Sequence, residues 1–226
     1  MTSLPSTAGV PVENDLPPTF DEAFRRRLGD LFRWRRDVRR FKPDALPPDS
    51  LDNLLQAASL APSVGLSQPW RFVQVEDPAR REKVRQSFCA SNRQALEDYH
   101  GEQARIYASL KLAGLGEAPL QLAVFCDEAT ERGRGLGRRT MPETLRYSVV
   151  AAIQNLWLAA RSLGIGVGWV SILDPEEVRQ ALELPEDWRF IAYLCIGFPV
   201  EEHLDPELER HRWEAREDPA RHLLKR

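Results

Sequence analysis

Lysine is nearly missing from this 226-residue chain, in which 4 Lys stand against 27 Arg. Neither sign of charge dominates: 31 basic and 34 acidic side chains leave a formal net charge of -3. That balance excludes the net basic face of a nucleic-acid binder, and acids interleaved with the arginines argue the same way. Most of the arginines therefore read as solvated surface. Arg differs from Lys where a phosphate or carboxylate is gripped by a planar fork of donors. Cysteine is scarce too: Cys89, Cys126 and Cys195 form no C-x-x-C pair, which excludes a disulfide framework and a cysteine zinc site. Cys126 and Cys195 sit in apolar runs as small hydrophobes, and a reducing cytoplasm is the expected setting. The four histidines, His100, His203, His211 and His222, lie in polar segments and offer neither a metal centre nor a Ser–His pair. Long apolar runs are also absent. The longest, Ser148 to Ala160, has 13 residues and includes Gln154 and Asn155, short of the roughly 20 that span a bilayer. The N-terminal stretch has no secretory-signal pattern.

What is present is a regular succession of apolar periods. Residues 1–19, rich in Pro, Ser and Thr, read as a disordered extension, and 20–226 as a single domain. Phe24, Leu28, Leu31 and Phe32 recur at helical spacing over 21–35. A second helix, capped by Asp49 or Ser50, carries Leu51, Leu54, Leu55 and Ala58 and stops at Pro62. Strands are expected over 71–75, 120–126, 164–172 and 189–197, with a helical region over 78–115 interrupted near His100-Gly101. Residues 131–139 read as a glycine- and arginine-rich loop. The strongest helix, 142–163, is apolar nearly all round, which marks a buried central helix or a helical dimer interface. Asp174-Pro175 opens a short helix, and a polar tail follows Glu201. The class is α+β or α/β, a sheet packed on long helices.

Four clusters can carry chemistry. Gly133-Arg-Gly135-Leu-Gly137 and Gly164-Ile-Gly166-Val-Gly168 fail the dinucleotide fingerprint: the spacing is wrong, and the second leads into a strand. In Arg35-Arg36-Asp37-Val38-Arg39-Arg40, a continued helix would put Arg35 and Arg39 on one side as a guanidinium pair for a phosphate. The plainer reading is a solvated helix end whose cations complement the dipole. The loop Ala61-Pro-Ser-Val-Gly-Leu-Ser-Gln-Pro-Trp70 offers backbone donors, two hydroxyls and an amide to a planar heterocycle, or is a connector. Gly166 and Gly168 leave room for a backbone or ligand to approach, with Ser171 at the strand's end.

Taken in order, RRDVRRF, APSVGLSQPW, SLKLAGLGEAPL, YSVVAAIQNLWLAARSLGIGVGWVSI and YLCIGFP resemble the flavoenzymes of the nitroreductase-like superfamily over about Leu31 to Phe198. They are most similar to its flavin-destroying branch, in which O2 fragments reduced FMN to 5,6-dimethylbenzimidazole, the lower ligand of cobalamin, and erythrose 4-phosphate. The resemblance implies an α+β fold with a mixed central sheet between long helices, and an intertwined homodimer with FMN at the subunit interface. It also implies no metal, and reduced flavin supplied by a flavin reductase or an NAD(P)H system. Arg35, Arg36 and Arg39 match the phosphate motif, and Asp37 stands where ordinary nitroreductases carry serine. Pro62, Ser63, Val64, Gly65 and Gln68 match the loop lining the flavin. Gly168 and Ser171 match positions beside the isoalloxazine, and Arg216 takes the place of a tail arginine on the phosphate. The lid corresponds to Phe88–Leu112, with Ser91, Asn92, Tyr107, Lys111 and Leu112. Asp37 is the expected proton shuttle, since a carboxylate in hydrogen-bond reach of the flavin suits that task, and Ser171 the orienting hydroxyl. The alternative on the same fold is an NAD(P)H-dependent nitroreductase or dehalogenase that keeps its FMN intact. A flavin carrier without turnover is the rival from another class.

Overall fold

The computed structural model describes residues 17–109 and 114–226. Most of the expected N-terminal extension and the lid positions Lys111 and Leu112 therefore lie outside the described residues.

Helix α1 (Glu22–Trp34) starts where the Asp21 carboxylate accepts the Phe24 N–H at 2.7 Å. None of its residues is buried, and Phe24, Phe32 and Trp34 stand exposed, so its apolar stripe finds little cover within this chain. Helix α2 (Ser50–Ser59) buries Leu54 and Ala58. Of its two expected caps, Asp49 takes a left-handed φ of 63° and makes no side-chain cap, while Ser50 Oγ donates to the Pro47 carbonyl. Strand β1 (Trp70–Gln74) leads to α3 (Pro78–Glu97), then α4 (Gly101–Ser109) and α5 (Gly114–Glu117). The interruption expected near His100-Gly101 is the gap between α3 and α4. Strand β2 (Leu120–Asp127), α6 (Thr144–Ser162), β3 (Gly166–Val170), α7 (Pro175–Ala181), β4 (Trp188–Gly197) and α8 (Glu207–Arg210) complete the order.

The sheet runs β1-β2-β4-β3 and every neighbouring pair is antiparallel. The mixed character expected of it rests on one isolated parallel bridge, Asp37 to Val167. Side chains alternate across the sheet with period two. Leu122, Val124, Cys126, Leu194 and Ile196 face α2 and α6, where Leu145, Val149, Ile153 and Leu156 complete one core. Ala123, Phe125, Tyr193 and Cys195 face the other way, onto Val84 of α3 and Val178 of α7. On that second side Tyr193 O–H donates to Gln121 Oε1 at 2.7 Å, and Gln121 Nε2 donates to the Leu115 carbonyl, so the buried polar pair is satisfied. Helix α6 is thus a central helix with one buried face. Its outer side leaves Tyr147 and Val150 exposed. Among the described residues no helix is long and apolar enough to cross a membrane.

Candidate active site

Helix α1 ends at Trp34, and Arg35 departs with extended backbone (ψ 111°). The arginine run is therefore not helical, and the four-residue spacing is not what groups its side chains. In extended chain the period is two, which puts Arg35, Asp37 and Arg39 on one side for a different reason. The segment lies against β3: Asp37 bridges Val167, and the Val38 N–H donates to the Val167 carbonyl at 3.0 Å. Further on, the Lys42 N–H donates to the Phe198 carbonyl and the Val200 N–H to the Arg40 carbonyl, clamping the segment to the chain leaving β4. Gly168 makes the approach possible. A Cβ there would stand 2.1 Å from the Val38 carbonyl oxygen, so the space over this glycine is taken by protein backbone.

The packing lodges the Asp37 carboxylate at the base of a cleft lined by Arg36, Arg39, Trp157, Glu207 and Arg210. Oδ1 accepts the Trp169 N–H at 2.8 Å, and Oδ2 lies 3.5 Å from Arg39 Nε. The side chain keeps 38% of its surface open to the cleft, with protein on its other sides. Burial raises its pKa from the ordinary carboxylate value, against the opposing pull of the Trp169 N–H and Arg39, and Glu207 raises it further. Beneath it, the Cys195 thiol is pushed up to about 12, first by burial and then by the charge of Asp37.

Trp157 of α6 forms the floor under the arginines. Its indole N–H donates to the Arg36 carbonyl at 3.2 Å, and the Arg35 guanidinium sits 4.9 Å from its ring centroid. Arg36 reaches the Leu204 carbonyl with two donors, at 2.9 and 2.5 Å. Burial lowers the pKa of Arg35 and Arg36 alike, and the charge of Arg216, brought back by the tail, lowers both further. Among the described residues neither Arg35 nor Arg216 has a carboxylate at ion-pair distance, and Arg39 Nε is buried without a hydrogen bond. Arg35 and Arg216, cations near one another and without a carboxylate partner, offer a cradle for a phosphate. The residues present fit a phosphorylated ligand.

The loop before β1 forms a second cluster. Ser63 Oγ accepts the Gln68 N–H at 3.1 Å, and the Val64 N–H donates to Ser148 Oγ of α6 at 3.0 Å. Gly65, at φ +57°, lies so close to Gly133 that a Cβ would meet its carbonyl at 2.9 Å, and Arg132 donates to Gln68 Oε1. Pro62 and Leu66 stand exposed. Ser148 and Trp157 are nine residues apart on α6, a rise of about 13–14 Å. Pro62, Ser63, Val64, Gly65 and Gln68 therefore occupy one end of that helix, and Arg35, Arg36, Asp37, Arg39 and Arg216 the other. Exposed Ser171 follows β3, two residues beyond the amide held by Asp37.

In the expected lid, Ser91 is half-buried on α3, and the Tyr107 O–H donates to Asn92 Oδ1 at 2.8 Å. Tyr99 stacks on Tyr107 with centroids 4.8 Å apart and meets Trp213 of the tail edge-on at 5.3 Å. Sequence reasoning did not find Trp157, Glu207 or Trp213. Trp157 read as one more apolar residue of a helix; a lone tryptophan in a charged tail was the available signal for Trp213. Among the described residues no group of His, Cys, Asp and Glu is arranged to hold a metal ion.

A family model described as "Nitroreductase family" matches residues 32–198. The chain belongs to the nitroreductase family. Within it, the chain is 59% identical over 199 residues to a 5,6-dimethylbenzimidazole synthase of Rhodospirillum rubrum, an alignment covering 88% of this chain and 94% of that protein. A protein of the same name from Rhodobacter capsulatus is 47% identical, over 86% of this chain and 94% of its own. Among solved structures, oxidised iodotyrosine deiodinase bound to FMN and 3-iodo-L-tyrosine matches with a TM-score of 0.66 and 29% identity, over 78% of this chain and 91% of that one.

Proposed function

We propose that the chain consumes reduced FMN with O2 and yields 5,6-dimethylbenzimidazole and erythrose 4-phosphate. The observation that carries this reading is the 59% identity, over 94% of its length, to the Rhodospirillum rubrum synthase. The site supports it with an anion cradle and a carboxylate beside it. Reduced FMN supplies both the electrons and the carbon skeleton of the product, and O2 is the oxidant. Arg35, Arg36, Arg39 and Arg216 hold the phosphate and do no redox work. Asp37 holds a proton at Oδ2 and returns it, a task for which a raised pKa suits a carboxylate. Ser171 orients the ring through its hydroxyl, a geometry-sensitive contribution.

The second cluster, with Ser63, Gln68 and their neighbours, serves the flavin ring in a homodimer. One chain's phosphate cradle then meets the other chain's loop, which explains why the two lie at opposite ends of α6. Exposed Phe24 and Phe32 on α1 and Tyr147 and Val150 on α6 supply apolar surface for that interface. A flavin reductase or NAD(P)H system supplies the reduced flavin. Three free cysteines, two of them buried, accord with a reducing cytoplasm.

The test is anaerobic mixing with reduced FMN, an air pulse, and chromatography of the products. Dimethylbenzimidazole should appear as flavin disappears. Flavin recovered intact, with nicotinamide consumed against a nitroaromatic or halogenated substrate, sinks the reading in favour of a conventional reductase.

A further inference from the structure

Glu207 opens α8 in the polar tail, yet only 14% of its side chain is exposed, and the chemistry just described makes no use of it. Its Oε2 lies 3.8 Å from Arg39 Nε, the same nitrogen that lies 3.5 Å from Asp37 Oδ2. Its other oxygen faces His211 Nε2 at 3.7 Å. Arg39, itself 12% exposed, thus stands between two carboxylates from distant parts of the chain, hydrogen-bonded to neither through Nε. A guanidinium given wholly to one carboxylate forms a close, charge-assisted pair and favours the ionised form of that acid.

We propose that Glu207 is a positioning residue for Asp37, dividing the Arg39 cation so that the Asp37 carboxylate stays able to take up and release a proton. The proposal rests on the reading of Asp37 as the proton-carrying group. The groups facing Asp37 come from four elements. Arg35 and Arg39 belong to its own segment, the Trp169 N–H to β3, the Cys195 thiol to β4 and Glu207 to α8, with Arg216 behind Arg35. Of these, Glu207 is the acid that competes for Arg39. Removing its charge acts on Asp37 in one direction by two routes: a nearby negative charge disappears, and Arg39 is freed to close on Oδ2.

The decisive measurement needs no turnover and no flavin. The Trp169 amide donates to Asp37 Oδ1, so its proton and nitrogen shifts in 15N-tryptophan-labelled protein follow Asp37 ionisation, and Asp37→Asn identifies that titration by abolishing it. In Glu207→Gln the midpoint should fall by about one pH unit. Glu207→Asp keeps the charge and should stay within a few tenths of a unit of wild type. A midpoint unmoved in Glu207→Gln overturns the proposal. So does Glu207→Asp moving as far as Glu207→Gln, because the shift would then come from disturbed packing. Because the readout is taken on the flavin-free protein, it stands or falls separately from the identity of the product.

Discussion

Asp37 ionises against the preference of its surroundings, which ties its charge state to folding. Its pKa in the folded chain lies above that of the unfolded chain, so between the two values the native state binds more protons. The stability linked to this group is present below the unfolded value, near 4, and is lost as pH rises through the folded one. The flavin-free wild type should therefore lose melting temperature over that window relative to Asp37→Asn, as read by scanning calorimetry at a series of pH values. A difference between the two proteins that stays flat with pH would contradict the assignment. Arg35→Ala should remove a charge-assisted contact worth about 1.5–3 kcal/mol, weakening flavin binding roughly 10- to 150-fold in a fluorescence titration while leaving the fold intact. The letters RRDVR were enough to single out these residues in the sequence. They did not reveal that the backbone was extended, because that conformation is imposed by a strand 130 residues away.

At the scale of elements, the boundaries of α3, β2, α6 and β4 follow closely from apolar period and from Pro and Gly positions. Position 168 shows what periodicity leaves out. Its glycine is dictated by the Val38 carbonyl, a partner that no local pattern indicates. Gly168→Ala should overpack this contact, costing about 1–3 kcal/mol or more and lowering the melting temperature by several degrees, with flavin binding lost in parallel as the Asp37 segment is pushed away. A variant as stable as wild type and with full affinity would show that the segment can lift at no cost. Beyond Arg216, named from the family resemblance, the tail was illegible for the same reason: its contacts are Arg36 with Leu204, Arg39 with Glu207, and Tyr99 with Trp213, all non-local.

For the whole molecule, the proposed homodimer, with one half-site at each end of α6, makes flavin binding depend on assembly. A charge placed on the outer face of α6, as in Val150→Asp, should produce a monomer in analytical ultracentrifugation and abolish flavin binding together with dimerisation. A monomer that binds flavin with wild-type affinity would place the whole site within one chain. In the sequence, the apolar period of 142–163 left a central helix and a dimer interface equally open, and the subunit-interface site came only from the family resemblance.

The bridge from Asp37 to Val167 has a further consequence. β3 is an outer strand, and its far side would otherwise offer unpaired backbone donors and acceptors to any passing strand. The Val167 carbonyl is taken by the Val38 N–H and the Trp169 N–H by the Asp37 carboxylate. The segment that carries Asp37 therefore also shields the rim of the sheet from self-association. Whatever loosens it exposes a template for aggregation, so Asp37, Val38 and Gly168 together guard solubility at this edge, whatever else they do.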